Sequence, residues 1–438
     1  MSVLRSVLGL VRERPTVALV VATTALHLVV SLLLPASLGA NESADLELFY
    51  EPVARSLVDG DGFVAPDGGP AVRYPPGFPV LLAAPVAVVD ATGLQLSSVL
   101  AVLIATTMGA SCGVLHLVGR RLVGPVAAVV GAGLWMLWPL NIWMAKQPNS
   151  EVPFTLLLLL ALLATVRAAQ RPDGAGRDAV LAGCALAGAA LVRPAGLFLV
   201  APLAGWLWYR RRRDPGSTAS WRPAALVVVT MALLLVPWVT WASFASDELV
   251  PVASGGRDTV MDGLEVGIGE KGTEDGRTLP LPDDLRGLLE DLSGQDSDGD
   301  LPTTGSIVAA VVREVPERPV GVAELVAFKA TRSWFATESL RFELPIAALQ
   351  ALTAGLLLAG SVRCWRGGPE RRAALGLLLG VLGSSWLLTM AVISIVRYLT
   401  PSLGPALLLG GVALEPLVVT LRARWATGPH AAAATGAG

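Results

Sequence analysis

Two acidic residues at the start of a polar segment are the first candidates for acid–base chemistry in this sequence. Asp45 and Glu47 follow a long apolar run and stand just before the aromatic pair Phe49-Tyr50. A carboxylate in such a place can accept the proton of an attacking hydroxyl. Asp45 would equally suit a helix N-cap or a solvated loop, and the residues alone favour that interpretation. Glu47 is the alternative base, or a partner that tunes Asp45 by like-charge repulsion.

Basic residues at the ends of apolar runs are candidates for binding an anion. Arg193 separates two short runs and Arg397 precedes the last one. Ionisable groups at membrane depth are costly and usually functional, and a guanidinium fork matches the oxygens of a phosphate. Snorkelling, or an ion pair with a loop acid, would explain both arginines as well. Lys146 is a weaker candidate, and Arg73 could bind an anion or anchor the interface.

Glu151 is a third acidic position of interest, because it precedes an apolar run close to Lys146. It could bind an acceptor or a divalent ion. It could also cap the helix that begins near Pro153, and this interpretation is slightly preferred.

The composition restricts the kind of protein that carries these residues. Of 438 residues, 53% are apolar and 16% charged, with a mean hydropathy of +0.61, whereas soluble domains carry about 25% charged residues. Charge is concentrated between long apolar runs, as in polytopic membrane proteins. The net charge of −2 provides no basic surface for nucleic acid. Three cysteines and three histidines are too scattered for a disulfide framework or a zinc site.

Ten apolar runs are candidates for membrane-spanning helices, which need about 20 residues each. Three of them are short enough to require tilt or partners. A further run, 76–89, is too short and contains three prolines, so an interfacial or re-entrant helix is predicted there. The ten runs are 16–35, 96–118, 122–140, 152–166, 179–192, 196–208, 224–244, 345–362, 373–395 and 401–421.

The distribution of arginine predicts the orientation. Short arginine-rich segments alternate with two long acidic segments, which places both termini in the cytoplasm and the long loops outside. The predicted regions are an N-terminal transmembrane region 1–244 with a first outer loop 36–94, a large outer loop 245–341, C-terminal transmembrane helices 342–421, and a disordered cytoplasmic tail 422–438.

Several motifs occur in an order that resembles one group of membrane enzymes. The first outer loop combines the Asp45 region with Tyr74-Pro75-Pro76-Gly77. The later motifs are Asn149-Ser150-Glu151, Arg193-Pro194-Ala195-Gly196, Pro237-Trp238, and Arg397-Tyr398 followed by Pro401. Together they are similar to the GT-C membrane glycosyltransferases of family 39, the dolichyl-phosphate-mannose protein mannosyltransferase-like group. The resemblance covers about 16–245 and 373–420. It departs from the family where Leu46 separates Asp45 from Glu47, since the family often has adjacent Asp-Glu.

The resemblance implies a fold and an activity. The expected fold is an all-α polytopic membrane protein, a GT-C-like bundle of about ten transmembrane helices with two long extracytoplasmic loops. The implied enzyme is an inverting hexosyl- or pentosyltransferase of the cell membrane. It would move a sugar from a polyprenyl-phosphate donor to an acceptor hydroxyl of a protein, lipid or glycan on the extracytoplasmic face. No cofactor is implied, although a divalent cation stays open.

The resemblance also assigns roles to residues. Asp45 or Glu47 is the expected base. The expected contacts of the donor phosphate are Arg193, Arg397, Lys146 and Arg73, and the expected substrate contacts are Tyr50, Tyr74, Glu151 and Tyr398. Two other functions stay open: a transporter or flippase of a lipid-linked sugar, and a non-catalytic GT-C-like protein. A one-sided pocket would favour the enzyme, and a cavity through the bilayer would favour transport.

Overall fold

The chain is built from α-helices. The structure is a computed structural model and describes residues 13–34, 45–146, 148–213, 221–265, 279–337 and 340–427. Within these ranges the extended pairing is limited to one isolated bridge between Val64 and Pro70. The predicted all-α architecture is therefore confirmed.

The described part of the N-terminal third contains six α-helices, two of which, α1 and α4, are long and apolar. A π-helical turn, Leu46–Tyr50, leads into α2, which ends at Gly60 in the left-handed conformation (φ 89°). The short run predicted at 76–89 forms α3. The helices are α1 Pro15–Leu33, α2 Glu51–Asp59, α3 Gly77–Thr92, α4 Leu96–Leu122, α5 Pro125–Met136 and α6 Pro139–Trp143.

The predicted span 122–140 is bent. Helices α5 and α6, the latter extended to Lys146, meet at an angle of 50°. Pro139 lacks an amide hydrogen and pushes the residue before it into an extended conformation, and Trp138 has φ −66° and ψ 122°. A proline thus divides one apolar run into two helices.

The middle of the chain forms three long helices and one divided short one. They are α7 Glu151–Gln170, α8 Ala175–Val192, α9 Ala195–Phe198, α10 Val200–Arg212 and α11 Arg222–Ser246. The predicted span 196–208 is not a long helix, because it is split between α9 and α10. The 13 residues of α10 reach about 20 Å, which is less than the ~30 Å hydrocarbon core, and its last turn contains three arginines.

The large loop folds around a small core of its own. Its helices are α12 Gly256–Glu265, α13 Asp283–Ser297, α14 Thr304–Glu317 and α15 Pro319–Phe335. Helix α13 turns Leu285, Leu288, Leu289 and Leu292 inward, at the spacing of an amphipathic helix. The amides of Ser254 and Gly255 donate to the carbonyls of Val72 and Arg73. The described parts of both long loops therefore lie at one end of the bundle, the loop face (residues 45–76, 247–265, 279–337 and 340–342).

Three long helices complete the bundle: α16 Glu343–Arg366, α17 Pro369–Ala391 and α18 Val396–Thr427. Helix α18 continues through 422–427, six residues into the predicted tail, and 428–438 lie outside the described residues. By length and composition, eight described helices can cross a membrane: α1, α4, α7, α8, α11, α16, α17 and α18. Counting the bent α5–α6 pair gives nine among the described residues, and the tenth predicted run, 196–208, is the divided α9–α10.

Helix α18 is the central helix of the bundle, and glycines allow its close packing on α5. A Cβ on Gly411 would lie 2.1 Å from the carbonyl oxygen of Ala127, and one on Gly131 would lie 2.9 Å from Cα of Leu408. Small residues let two helix backbones approach in this way. Helix α18 also packs on α7, α16 and α17, and its first turn lies at the loop face, where the amide of Val396 donates to the carbonyl of Ala336.

Candidate functional site

Two arginines meet on one buried carboxylate at the loop face. Oε1 of Glu151 lies 2.7 Å from Nη1 of Arg193 and 2.7 Å from Nε of Arg397. The Glu151 side chain is 1% exposed, and those of Arg193 and Arg397 are 18% and 13% exposed. The three side chains together carry one net positive charge in a largely water-excluded place.

The local sequence explains how these three residues come together. Glu151 is the first residue of α7 and Arg397 is the second of α18. Arg193 ends α8 with φ −147° and ψ 134°, the extended conformation that Pro194 imposes on the residue before it. Since α7 packs on both α8 and α18, these three ends lie side by side.

Further polar and aromatic contacts hold the arginines. Nη1 of Arg193 also donates to Oγ of Ser150, at 2.9 Å. The guanidinium carbons of Arg193 and Arg397 lie 4.9 and 6.0 Å from the ring centre of Tyr398. A cation over an aromatic ring is stabilised by the negative face of that ring. We name the five residues Ser150, Glu151, Arg193, Arg397 and Tyr398 the arginine cluster.

Asp45 forms the second part of the site with aromatic residues of the first loop. The hydroxyl of Tyr74 donates to Oδ1 of Asp45 at 2.8 Å. The rings of Phe49, Tyr50 and Tyr74 pack with centroid distances of 4.9 to 5.9 Å, and Phe78 packs edge-on against Tyr50. Asp45 makes no capping bond to the helix that follows it. The geometry thus favours an oriented carboxylate over the N-cap alternative.

The arginine cluster and the Asp45 group are neighbours at the loop face, since the same tyrosines interact electrostatically with both. Burial raises the pKa of Tyr50 well above its usual value, Arg193 opposes this rise, and Asp45 adds to it. Burial also raises the pKa of Tyr74, as do the charge and hydrogen bond of Asp45. Tyr398 interacts electrostatically with Asp45 as well as with both arginines. Asp45, Arg193 and Tyr398, which are far apart in the sequence, therefore lie close together at the loop face.

The other predicted site residues lie outside this cluster or at its edge. Glu47 is exposed, and residues two apart on a helical turn point to different sides, so Glu47 does not join Asp45. Lys146 is half-buried and makes no ion pair with a residue that the structure describes. The Arg73 side chain is 60% exposed, lies 3.9 Å from Asp258, and contacts the ring of Tyr74.

Glu151 serves mainly as the partner of two arginines. The sequence slightly favoured a helix cap for Glu151, because the sequence does not show that Arg193 and Arg397 contact this residue. Ser150, which the sequence marked only as part of a motif, also binds Arg193. Within the described ranges, no group of three or more His, Cys, Asp or Glu side chains is arranged to hold a metal ion.

Comparisons with known proteins agree with this architecture. Residues 73–241 match the family Dolichyl-phosphate-mannose-protein mannosyltransferase. No curated protein sequence matches significantly. The fold is similar to that of the Archaeoglobus fulgidus oligosaccharyltransferase tethered with an acceptor peptide, with a TM-score of 0.60 at 14% identity over 96% of this chain. The oligosaccharyltransferase AglB of Archaeoglobus fulgidus, in complex with an inhibitory peptide and a dolichol-phosphate, gives a TM-score of 0.57 at 14% identity over 95% of this chain.

The extent of these matches defines what they establish. The chain spans about half, 52%, of the archaeal protein. The family match begins at Arg73 and includes Glu151 and Arg193, but neither Asp45 nor Arg397. The predicted resemblance is confirmed at the level of fold and of family similarity. The chain is a multi-pass membrane protein with the GT-C fold, similar over residues 73–241 to the dolichyl-phosphate-mannose-protein mannosyltransferases.

Proposed function

We propose that this protein is an inverting membrane glycosyltransferase that transfers a sugar from a polyprenyl-phosphate donor to an acceptor hydroxyl on the extracytoplasmic face. The observation that carries the proposal is the convergence of Asp45 with Arg193 and Arg397 in one region at the loop face. The structural neighbours are consistent with it, since one structure is a complex with a dolichol-phosphate and another is tethered with an acceptor peptide.

The arginine cluster suits the phosphate of such a donor. The two guanidinium groups share one carboxylate oxygen, which leaves a net charge of +1 for an anion. Arg193 uses only Nη1 for its contacts with Ser150 and Glu151, so its Nε and Nη2 have no partner among the described residues. Positive groups fixed in a water-poor place stabilise charge that develops on a leaving phosphate.

An apolar groove beside the cluster suits the lipid part of the donor. It has a volume of about 180 Å³ and lies between α3, α4 and α7, where Leu81 and Leu103 are partly exposed. Asn149 lines it and is buried, with both amide atoms unpartnered among the described residues. Because Asn149 is two residues from Glu151, an amphiphile in the groove would have its polar end near the arginines.

The reaction assigns one role to each group. The acceptor oxygen attacks the anomeric carbon while its proton moves to Asp45. The bond between that carbon and the phosphate oxygen breaks, and its electron pair stays on the phosphate, near Arg193 and Arg397. Attack opposite the departing phosphate inverts the anomeric configuration. Tyr74 orients Asp45 through its hydrogen bond.

The experiment is transfer of radiolabelled sugar in membranes that contain the protein, with a panel of undecaprenyl-phosphate sugars as donors. We expect lipid-soluble label to move to an acceptor fraction, and added undecaprenyl phosphate to inhibit this transfer. Membranes without the protein are the control. If the labelled lipid-linked sugar crosses the vesicle membrane but the sugar is never transferred to an acceptor, the protein is a transporter and the proposal is wrong.

Tyr74→Phe tests the orientation of Asp45. The variant keeps the ring packing but removes a hydrogen bond to a carboxylate, so transfer should slow by about tenfold or more. Initial rates at saturating donor measure the effect. Tyr209→Phe is the matched control, because Tyr209 is 43% exposed and stacks on Arg213 away from the site. Equal rates for both variants would remove Tyr74 from the mechanism.

Leu103→Trp tests the groove. An indole there should displace at least two methylene groups of the donor chain, which costs about 1.6 kcal/mol, or tenfold in affinity. We therefore expect the KM for the donor to rise about tenfold with little change in kcat. Leu117→Trp is the control, since Leu117 is also partly exposed on α4 but does not line the groove. A normal donor KM in Leu103→Trp would place the lipid elsewhere.

A further inference from the structure

Lys329 is a buried cation outside the site described above. It lies in α15 of the large loop and is 6% exposed. Its Nζ donates to the carbonyl oxygens of Gly263 and Val392, both at 2.8 Å. Burial lowers the pKa of Lys329 to about 8. A buried ammonium is costly unless it is hydrogen-bonded, and here backbone carbonyls from two separate elements accept two of its three N–H donors.

One of these carbonyls belongs to the segment that leads to Arg397. Val392 follows the last residue of α17, and residues 392–395 connect it to α18. The C-terminal end of a helix is partly negative, so a cation is favourable there. The amide of Val396 donates to the carbonyl of Ala336, the residue after α15, at 2.9 Å. Helix α15 and its end thus hold the connector 392–395 at both ends.

The other carbonyl belongs to α12, which contacts a segment next to each part of the site. A Cβ on Gly263 would lie 2.4 Å from the oxygen of Val392, so only glycine permits this approach. Just before α12, a Cβ on Gly255 would lie 2.8 Å from the oxygen of Arg73, to which the Gly255 amide donates. Arg73 precedes Tyr74, the partner of Asp45. Helix α12 therefore links the segment before Tyr74 to the connector that leads to Arg397.

We infer that Lys329 is a positioning residue: by joining α12 to the connector 392–395, it fixes Arg397 and Tyr398 at the distance from Asp45 that the donor phosphate requires. The inference rests on the proposed function for the role of Arg397. In this inference the large loop positions the first turn of α18 relative to the first loop. Lys329 itself touches neither the reacting atoms nor the arginines.

Lys329→Met retains the apolar stem and removes both hydrogen bonds. Since a misplacement of about 1 Å can cost as much as 100-fold, we expect the KM for an undecaprenyl-phosphate sugar to rise about tenfold or more. The KM for the acceptor should stay within twofold. A merely structural loss would lower the amount of active protein, and hence Vmax, but leave the donor KM unchanged. An unchanged donor KM overturns the inference.

Gly263→Ala and Gly256→Ala form a matched pair on α12. The first places a methyl group against the Val392 carbonyl, whereas a Cβ on Gly256 meets only Oγ1 of Thr304, at 3.9 Å. We expect Gly263→Ala to raise the donor KM as Lys329→Met does, and Gly256→Ala to leave it unchanged. Equal behaviour of the two alanine variants would contradict the role of α12.

Hydrogen–deuterium exchange separates this inference from the proposed function. In detergent, the amides of 393–398 should exchange at least tenfold faster in Lys329→Met and Gly263→Ala than in the wild type and Gly256→Ala. If the wild type transfers sugar from no donor, the proposed function fails, while the exchange rates still decide whether Lys329 holds the connector. Unchanged exchange at 393–398 in Lys329→Met would overturn the inference.

Discussion

Replacing Asp45 by asparagine is expected to slow sugar transfer by about 10²- to 10⁴-fold, the range that a positioned general base contributes. Asparagine has nearly the same shape and can still accept the hydrogen bond of Tyr74, but it cannot take the proton of the acceptor hydroxyl. Protein yield and thermal stability should therefore remain near those of the wild type. Initial rates with saturating donor and acceptor measure the loss.

Two controls make the Asp45 result specific. Asp59→Asn changes an exposed acid at the end of α2 and should transfer sugar normally. Glu47→Gln tests the alternative base. Glu47 is exposed, and it points to a different side of the helical turn from Asp45, so this variant should slow sugar transfer by less than threefold. If Glu47→Gln abolishes transfer while Asp45→Asn does not, Glu47 is the base and our assignment is wrong.

Replacing Glu151 by glutamine is expected to lower the free energy of unfolding by about 3–5 kcal/mol, since it leaves buried charges without their counter-ion. Two guanidinium groups contact the same oxygen of Glu151, and all three side chains are largely buried. Denaturant unfolding of the detergent-solubilised protein measures the change. Glu370→Gln is the control, because Glu370 pairs with Arg210 but its side chain is 77% exposed. An exposed pair contributes about 0–1 kcal/mol.

The Glu151 variant also tests anion binding. With the carboxylate neutralised, Arg193 and Arg397 together carry two positive charges, so undecaprenyl phosphate should bind more tightly than to the wild type. At a concentration of 100 times its Kd, the ligand should restore about 2.7 kcal/mol of stability. Wild-type stability in Glu151→Gln, or no restoration by the ligand, would contradict the arginine cluster as a phosphate site.

Hydropathy was sufficient to predict most of the long helices, because about 20 apolar residues in a row have few alternatives to crossing a membrane. The errors fell at prolines and short runs. Pro139 bends the third predicted span, and the run 196–208 forms two short helices rather than one long one. Hydropathy reports composition over a window and does not register a break of one or two residues.

Residue type was sufficient to select the ionisable side chains of the site, but the sequence could not pair them. Glu151 and Arg397 are 246 positions apart, and their contact depends on how α18 packs against α7. The choice between Asp45 and Glu47 depends on the orientation of the π-helical turn 46–50, which no spacing rule predicts. Lys329 was missed because a lysine in a loop helix normally points to water.

The central claim is that the donor phosphate binds where Arg193, Arg397 and Asp45 converge, and the most direct measurement is an electron cryomicroscopy structure of the protein with undecaprenyl phosphate bound. We predict that the phosphorus density contacts both guanidinium groups, that the isoprenoid chain enters the groove between α3, α4 and α7, and that Asp45 faces the open side of the phosphate. Phosphate density at any other place, with Arg193 and Arg397 still bound to Glu151, would contradict the account.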